Sequence, residues 1–255
     1  MISLVNLLKE VTSSPKAIFL AGPAGSGKSY ISKQLIPSSL TVINVDDTYE
    51  ELLKKSGLGM AQKDFGPDEL SQAAKLMGQA QKITKEKYAE LTKSLKDVVI
   101  DGTGAASKPL LKKKEELEAL GYKTFMLAIY VSPITSLERN LERERNLLPS
   151  IVLRTWRDYN RNISIYREAF GNNFALINNN PENAKTDFNP EEIKRKFFDT
   201  TKSSGKPKTP EEQAKSAQEK EQLNQDIKDL VQVQNEFDTI DQAKTKINTF
   251  LQSWN

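Results

Sequence analysis

Three groups of side chains in this sequence have the type and spacing to do chemistry. Residues 22–29 read GPAGSGKS and satisfy G-x-x-x-x-G-K-[ST] directly after the apolar run AIFLA. A loop of this kind wraps phosphate with inward-pointing amides, and the helix after it adds a favourable dipole. Gly22, Gly25, Ser26 and Gly27 would line it, with Tyr30 next along the helix. Lys28 would reach the β- and γ-phosphates of ATP, and Ser29 would offer its hydroxyl to Mg²⁺. A glycine-rich turn that binds nothing is the plainer reading; the strand before and the helix after favour the nucleotide.

The second group is acidic. Asp46 and Asp47 follow LTVINV and Asp101 follows VVI, so each stands where an apolar run ends. Beside a phosphate loop, Asp101 suits a Mg²⁺ held through water. Asp46 or Asp47 suits acceptance of a proton from an attacking hydroxyl, while one of the pair can instead cap the helix that follows. The third group is basic. Only eight of the 37 basic residues are Arg, and Arg139, Arg143, Arg145, Arg154, Arg157, Arg161 and Arg167 fall within one 29-residue window. The planar guanidinium suits bidentate phosphate recognition, although Glu138, Glu142 and Glu144 also allow an ion-paired helix surface. Arg139 and Arg143, four apart, are expected on one helix face, and Arg154, Arg157 and Arg161 on another. The break NLLPS between them suits a hinged lid over phosphates, where such arginines meet transferring charge.

What the chain lacks narrows the chemistry. It has no cysteine and no histidine, which excludes disulfides, thiolate zinc sites, thiol nucleophiles and imidazole bases. Proton transfer near neutral pH then falls to carboxylates, Lys, Tyr or water. The absence of cysteine fits a reducing cytoplasm. A net charge of +3 does not by itself indicate nucleic acid. No apolar run reaches the roughly 18 residues of a membrane span, and the N-terminus lacks the pattern of a signal peptide.

The elements that must position these residues alternate. Apolar runs at 17–21, 40–45, 97–101, 123–131 and 174–178 read as strands, each separated from the next by a helical segment. Between 67 and 95, Leu70, Ala74, Met77, Gln81, Thr84, Tyr88, Leu91 and Leu95 form one mostly apolar stripe. Gly121 stops a charged helix, Ser132 caps another with Pro133 in its first turn, and NPEE at 189–192 opens a further one. This pattern predicts an α/β, doubly wound, parallel five-stranded domain over 13–200. An amphipathic helix over 1–12 precedes it, and a linker over 201–208 leads to a helical tail over 209–255. In the tail Leu223, Ile227, Leu230, Phe237, Ile240, Ile247 and Leu251 recur at helical steps, with Trp254 near the end. A coiled coil, a helical hairpin or a tail packed on the core all fit, and self-association or partner binding is the expected role.

Together these residues resemble the small P-loop kinases that include bacteriophage polynucleotide 5′-kinase and the zeta-toxin kinases, over about residues 17–180. INVDDTY is similar to the polynucleotide-kinase segment whose aspartate activates the 5′-hydroxyl, which makes Asp46 the implied base. A one-residue gap against the zeta toxins points to Asp47 instead. VVIDGTG looks like the third-strand segment of both, its GTG closer to the zeta toxins, and this implies a substrate role for Thr103. LERNLERERNLLPSIVLR is similar to the polynucleotide-kinase lid and implies that Arg143, beside Arg139, meets the transferring phosphates. Arg154 or Arg157 corresponds to the second arginine region of the zeta group. The arginine that polynucleotide kinase uses on the phosphate 3′ to its substrate end falls at Tyr49 or Glu50 here.

The resemblance thus implies an ATP- and Mg²⁺-dependent transfer of the γ-phosphate to a hydroxyl. The first-ranked acceptor is a polynucleotide 5′-end and the second a nucleotide sugar, with a nucleoside or nucleotide kinase as a neighbouring class. A nucleotide-binding assembly protein with little catalysis is the rival of a different kind. Asn178, Asn179 and Asn180, after the fifth strand, are candidates for the purine by position.

Overall fold

A computed structural model of the chain describes residues 14–60, 65–145, 147–182 and 236–253, with Ile193, Phe197, Glu221, Gln222 and Gln225 besides. Five strands, β1 (Lys16–Ala21), β2 (Thr41–Ile43), β3 (Val98–Gly102), β4 (Lys123–Tyr130) and β5 (Phe174–Asn178), form one parallel sheet in the order β2-β3-β1-β4-β5. The helices are α1 (Lys28–Leu35), α2 (Val45–Ser56), α3 (Pro67–Lys93), α4 (Ser107–Ala119), α5 (Pro133–Leu141), α6 (Pro149–Phe170) and α7 (Ile240–Gln252). The doubly wound α/β architecture is therefore as the alternation implies. The expected helix over 1–12, the capping box at 189–192, the linker and Trp254 lie outside the described residues.

A strand alternates its side chains between two faces, and both faces of this sheet are covered. Phe19, Met126, Ala128 and Tyr130 pack with Leu117 of α4 and Leu153, Trp156 and Tyr166 of α6. Ile18, Leu20, Phe125, Leu127 and Ile129 pack with Ile31 and Leu35 of α1 and with Ala243, Ile247 and Phe250 of α7. The connections after β1 and β3 therefore leave on opposite faces, which opens a crevice at the carboxyl end of β1, the usual place for a ligand in such sheets. A smaller cluster of Tyr49, Leu53 and Ala80 joins α2 to α3.

Four sequence expectations are corrected. The second strand stops at Ile43 rather than Val45, because the Asn44 side chain accepts the Asp46 amide at 2.8 Å and starts α2. Asparagine is among the best N-caps, so neither Asp46 nor Asp47 caps the helix; both lie in its first turn, where its dipole favours a carboxylate. Arg139 and Arg143 do not share a helix, since α5 ends at Leu141. Asn140 exchanges two hydrogen bonds with the Leu147 backbone, at 2.9 and 3.0 Å, and so folds the intervening chain into a loop. On α3 the inward side is Ala73, Leu76, Met77, Ala80, Thr84, Tyr88 and Leu91, while Leu70 and Leu95 are about half exposed. The expected stripe follows a 3.5-residue period, which drifts off a straight helix by about 20° per heptad, so Leu70 turns away, whereas Leu95 lies beyond the helix end with φ +51°.

Of the readings open for the tail, packing on the core describes α7. Phe250 stacks near Phe125 with ring centroids 5.3 Å apart, and Ala243, Ile247 and Phe250 are buried. Just before α7, the Asp238 amide donates to the Leu176 carbonyl at 2.7 Å and its carboxylate accepts the Leu176 amide at 2.9 Å. The Lys246 ammonium donates to that carboxylate at 2.8 Å and to the Phe174 carbonyl at 3.1 Å. The segment thereby covers the open edge of β5. Leu223, Ile227 and Leu230 lie outside the described residues. No described helix is long and apolar enough to cross a membrane.

Candidate active site

The phosphate loop leaves β1 and enters α1, and its curvature is held from outside. The Ala24 carbonyl accepts from Ser136 Oγ at 2.5 Å, the Gly25 carbonyl from Arg139 Nη1 at 3.3 Å and the Ser26 carbonyl from Asn179 Nδ2 at 2.8 Å. A trans peptide points its amide opposite its carbonyl, so these outward anchors turn the Gly25 and Gly27 amides toward the other side of the loop. That is the arrangement an anion needs. Gly25 has φ +72°, and a Cβ there would sit 2.5 Å from the Ser136 carbonyl, so only glycine fits. Lys28 donates to the Gly22 carbonyl at 2.7 Å. Burial lowers the proton affinity of its ammonium, which Asp101 and Asp46 partly restore and Arg143 reduces further. Asp101, Asp46 and Arg143 thus all stand within electrostatic reach of Lys28.

Asp101 ends β3 beside Asn44. Its Oδ2 accepts from Asn44 Nδ2 at 2.9 Å, while its Oδ1 is buried with no partner. Burial pushes the Asp101 carboxyl up to about 6, Asp47 and Asp46 push the same way, and Lys28 opposes them. The Asp47 carboxyl is likewise raised, first by burial and then by Glu50, Asp46 and Glu51, against Lys87. A buried carboxylate oxygen without a hydrogen-bond partner, within electrostatic reach of Lys28, fits a hydrated divalent cation. No cluster of three or more acidic, histidine or cysteine ligands occurs among the described residues.

The other residues marked from sequence are more scattered. Tyr30 is 65% exposed on α1, and Thr103 is exposed on the loop after β3. That loop is tied to α6 by Tyr166, whose hydroxyl donates to the Gly104 carbonyl at 2.7 Å, and by Asn162, whose amide reaches the Ala105 carbonyl at 2.9 Å. Arg154 is exposed on α6, and Arg157 folds onto neighbouring Asp158 at 2.9 Å. The asparagines after β5 have structural partners: Asn179 braces Ser26, and Asn180 Oδ1 accepts the Ser132 amide at 2.7 Å.

Arg145 was passed over by the spacing argument, and the structure places it against the first turns of α2. Nη2 meets Asp46 Oδ1 at 3.0 Å, Nη1 meets Glu50 Oε1 at 3.3 Å, and the guanidinium lies 5.1 Å from the Tyr49 ring centroid. Its side chain is only 11% exposed, and Nε is buried without a partner. Membership of the arginine window was its one sequence signal. Asn44 was also missed, although an asparagine followed two and three residues later by aspartates carries the signature of a helix cap.

A parallel sheet of this order with a phosphate loop after its central strand defines a P-loop kinase fold. The zeta toxin family model matches residues 6–174, and the chain belongs to that family. The structure of AvrRxo1-ORF1:-ORF2 with ATP is 14% identical, with a TM-score of 0.54 over 96% of this chain and 84% of that one. The same complex with sulphate ions is 15% identical, with a TM-score of 0.54 over 89% and 83%. The PezAT toxin-antitoxin system of Streptococcus pneumoniae is 18% identical, with a TM-score of 0.46 over 88% and 94%. These likenesses concern the fold. No curated protein sequence matches the chain.

Proposed function

We propose that the chain is an ATP-dependent kinase that moves the γ-phosphate of ATP to a hydroxyl of a nucleotide sugar. The observation that carries the reading is the convergence of Lys28, Asp101 and Asp46 at the carboxyl ends of three adjacent strands, with Arg143 within electrostatic reach of Lys28. Lys28 and the loop amides hold the phosphates and Arg143, which acts on Lys28 electrostatically, meets the transferring charge, while Arg139 braces the loop from outside. Ser29 and Asp101 hold Mg²⁺, which when bound neutralises charge on the phosphates. The acceptor oxygen bonds to the γ-phosphorus, its proton passes to a carboxylate of α2, and the bond to the β-phosphate oxygen breaks to release ADP.

Asp46 is the assigned base, oriented by Arg145. Asp47 is a second reading, favoured by its raised proton affinity, which makes a carboxylate a stronger base. Family membership supports the nucleotide sugar. A polynucleotide 5′-hydroxyl remains the alternative acceptor that the INVDDTY segment supports. The test is labelled ATP offered with uridine-diphosphate sugars and, separately, with 5′-hydroxyl oligonucleotides. Transfer to the sugars, lost in Asp46→Asn with ATP binding kept, supports the assignment; loss in Asp47→Asn alone moves the base by one residue. Transfer only to oligonucleotides refutes the sugar acceptor.

A further inference from the structure

Asn44 has no role assigned within the INVDDTY segment, yet its carboxamide is engaged at both ends. Ile43 pairs with Ile100 in the parallel register, so Asn44 and Asp101 follow as neighbours at the carboxyl ends of β2 and β3. Asn44 Oδ1 accepts the Asp46 amide at 2.8 Å and caps α2, while Nδ2 donates to Asp101 Oδ2 at 2.9 Å. The amide cannot be reversed: a flip would set NH₂ against an N–H and a carbonyl oxygen against a carboxylate. The Asn44 carbonyl also accepts from Thr48 Oγ1 at 3.2 Å, and Thr48 in turn accepts from Thr84 of α3 at 3.4 Å. The residue is therefore held from its own backbone as well.

We infer that Asn44 is a positioning residue that sets the Asp101 carboxylate and the carboxylates of α2 in one fixed relation. By taking Oδ2, it leaves Oδ1 as the buried oxygen without a partner, the atom available toward a cation. By capping α2, the same side chain fixes where the helix begins, and hence where Asp46 and Asp47 stand. The donor at Nδ2 and the cap at Oδ1 are separable chemically. Serine keeps a cap and has no donor long enough to reach Asp101; aspartate keeps a cap and replaces the donor with an acceptor.

The inference rests on the kinase reading and is tested apart from it with a fluorescent ATP analogue, in Mg²⁺ and in EDTA, alongside thermal melts. Asn44→Ser should keep the melting temperature within a few degrees, because the cap survives. It should keep binding in EDTA and weaken Mg²⁺-supported binding about tenfold, the scale of one hydrogen bond to a charged group. Asn44→Asp should show the same selective loss, which keeps the test decisive should the serine variant fold poorly. Equal losses in Mg²⁺ and EDTA, or no loss in either, overturn the inference and make Asn44 a cap alone. A wild-type chain that binds the analogue in neither condition refutes the kinase reading, and the inference with it.

Discussion

Replacing Asp101 with asparagine should make the ligand-free protein more stable while weakening its hold on Mg²⁺–nucleotide. Asp101 is mostly buried, and its carboxyl is raised from an ordinary value near 3.8 to about 6, chiefly by that burial. Each pKa unit is about 1.36 kcal/mol, so the rise is worth about 3 kcal/mol against the ionised form. Between those two values the folded chain holds a proton that the unfolded chain has released. Stability must therefore fall as pH rises through that window, and the loss is complete above it. The substituted carboxamide would carry no charge and would still accept from Asn44 Nδ2 through its own oxygen. Urea denaturation in EDTA should find Asp101→Asn and wild type similar near pH 4. The variant should pull ahead as pH rises to about 6 and stay ahead, by up to about 3 kcal/mol, at pH 8. A variant less stable than wild type at pH 8, or a difference that does not change with pH, refutes the argument that Asp101 is a strained, function-ready carboxylate.

Arg145→Gln removes both ion pairs to α2 and should cost about 1 kcal/mol in urea denaturation, since Asp46 is well hydrated once released. It should slow phosphoryl transfer at least tenfold with ATP affinity nearly kept; unchanged transfer would remove Arg145 from the site. Gly25→Ala should abolish binding of the ATP analogue, because its φ of +72° and the Ser136 carbonyl leave no room for a Cβ. Binding retained within about threefold would show that the loop can reshape. Phe250→Ala should destabilise the chain by about 3–5 kcal/mol through loss of its contact with Phe125. Nucleotide affinity should stay unchanged in that variant, because Phe250 meets Phe125 and Lys16 at the amino ends of β4 and β1, away from the phosphate loop; an unchanged melting temperature would mean that α7 is not docked.

The phosphate loop and five strands were legible because their signals are local. Each strand is a short apolar run, and the loop is one contiguous motif between a strand and a helix. Asp46 and Asp47 were visible as carboxylates beside that loop, but their setting was not, because the apolar run LTVINV hides the point where Asn44 ends the strand. The cap and the contact with Asp101 are one decision, taken by a neighbour 57 residues away. Arg145 illustrates the same limit more strongly. Spacing groups Arg139 with Arg143, whereas the hydrogen bonds between Asn140 and Leu147 end the helix early and send Arg145 to carboxylates 95 and 99 residues back. Asn179 sits after β5, where its position fits a base contact, yet its amide supports the phosphate loop.

Phosphorus NMR of the products tests the central claim most directly. The purified chain is incubated with ATP, Mg²⁺ and a uridine-diphosphate sugar. The account predicts that ADP appears together with one equivalent of a new phosphomonoester on the sugar, and that neither forms in the Lys28→Ala variant. ADP accompanied only by inorganic phosphate, or ATP left intact under these conditions and with 5′-hydroxyl oligonucleotides, would contradict it.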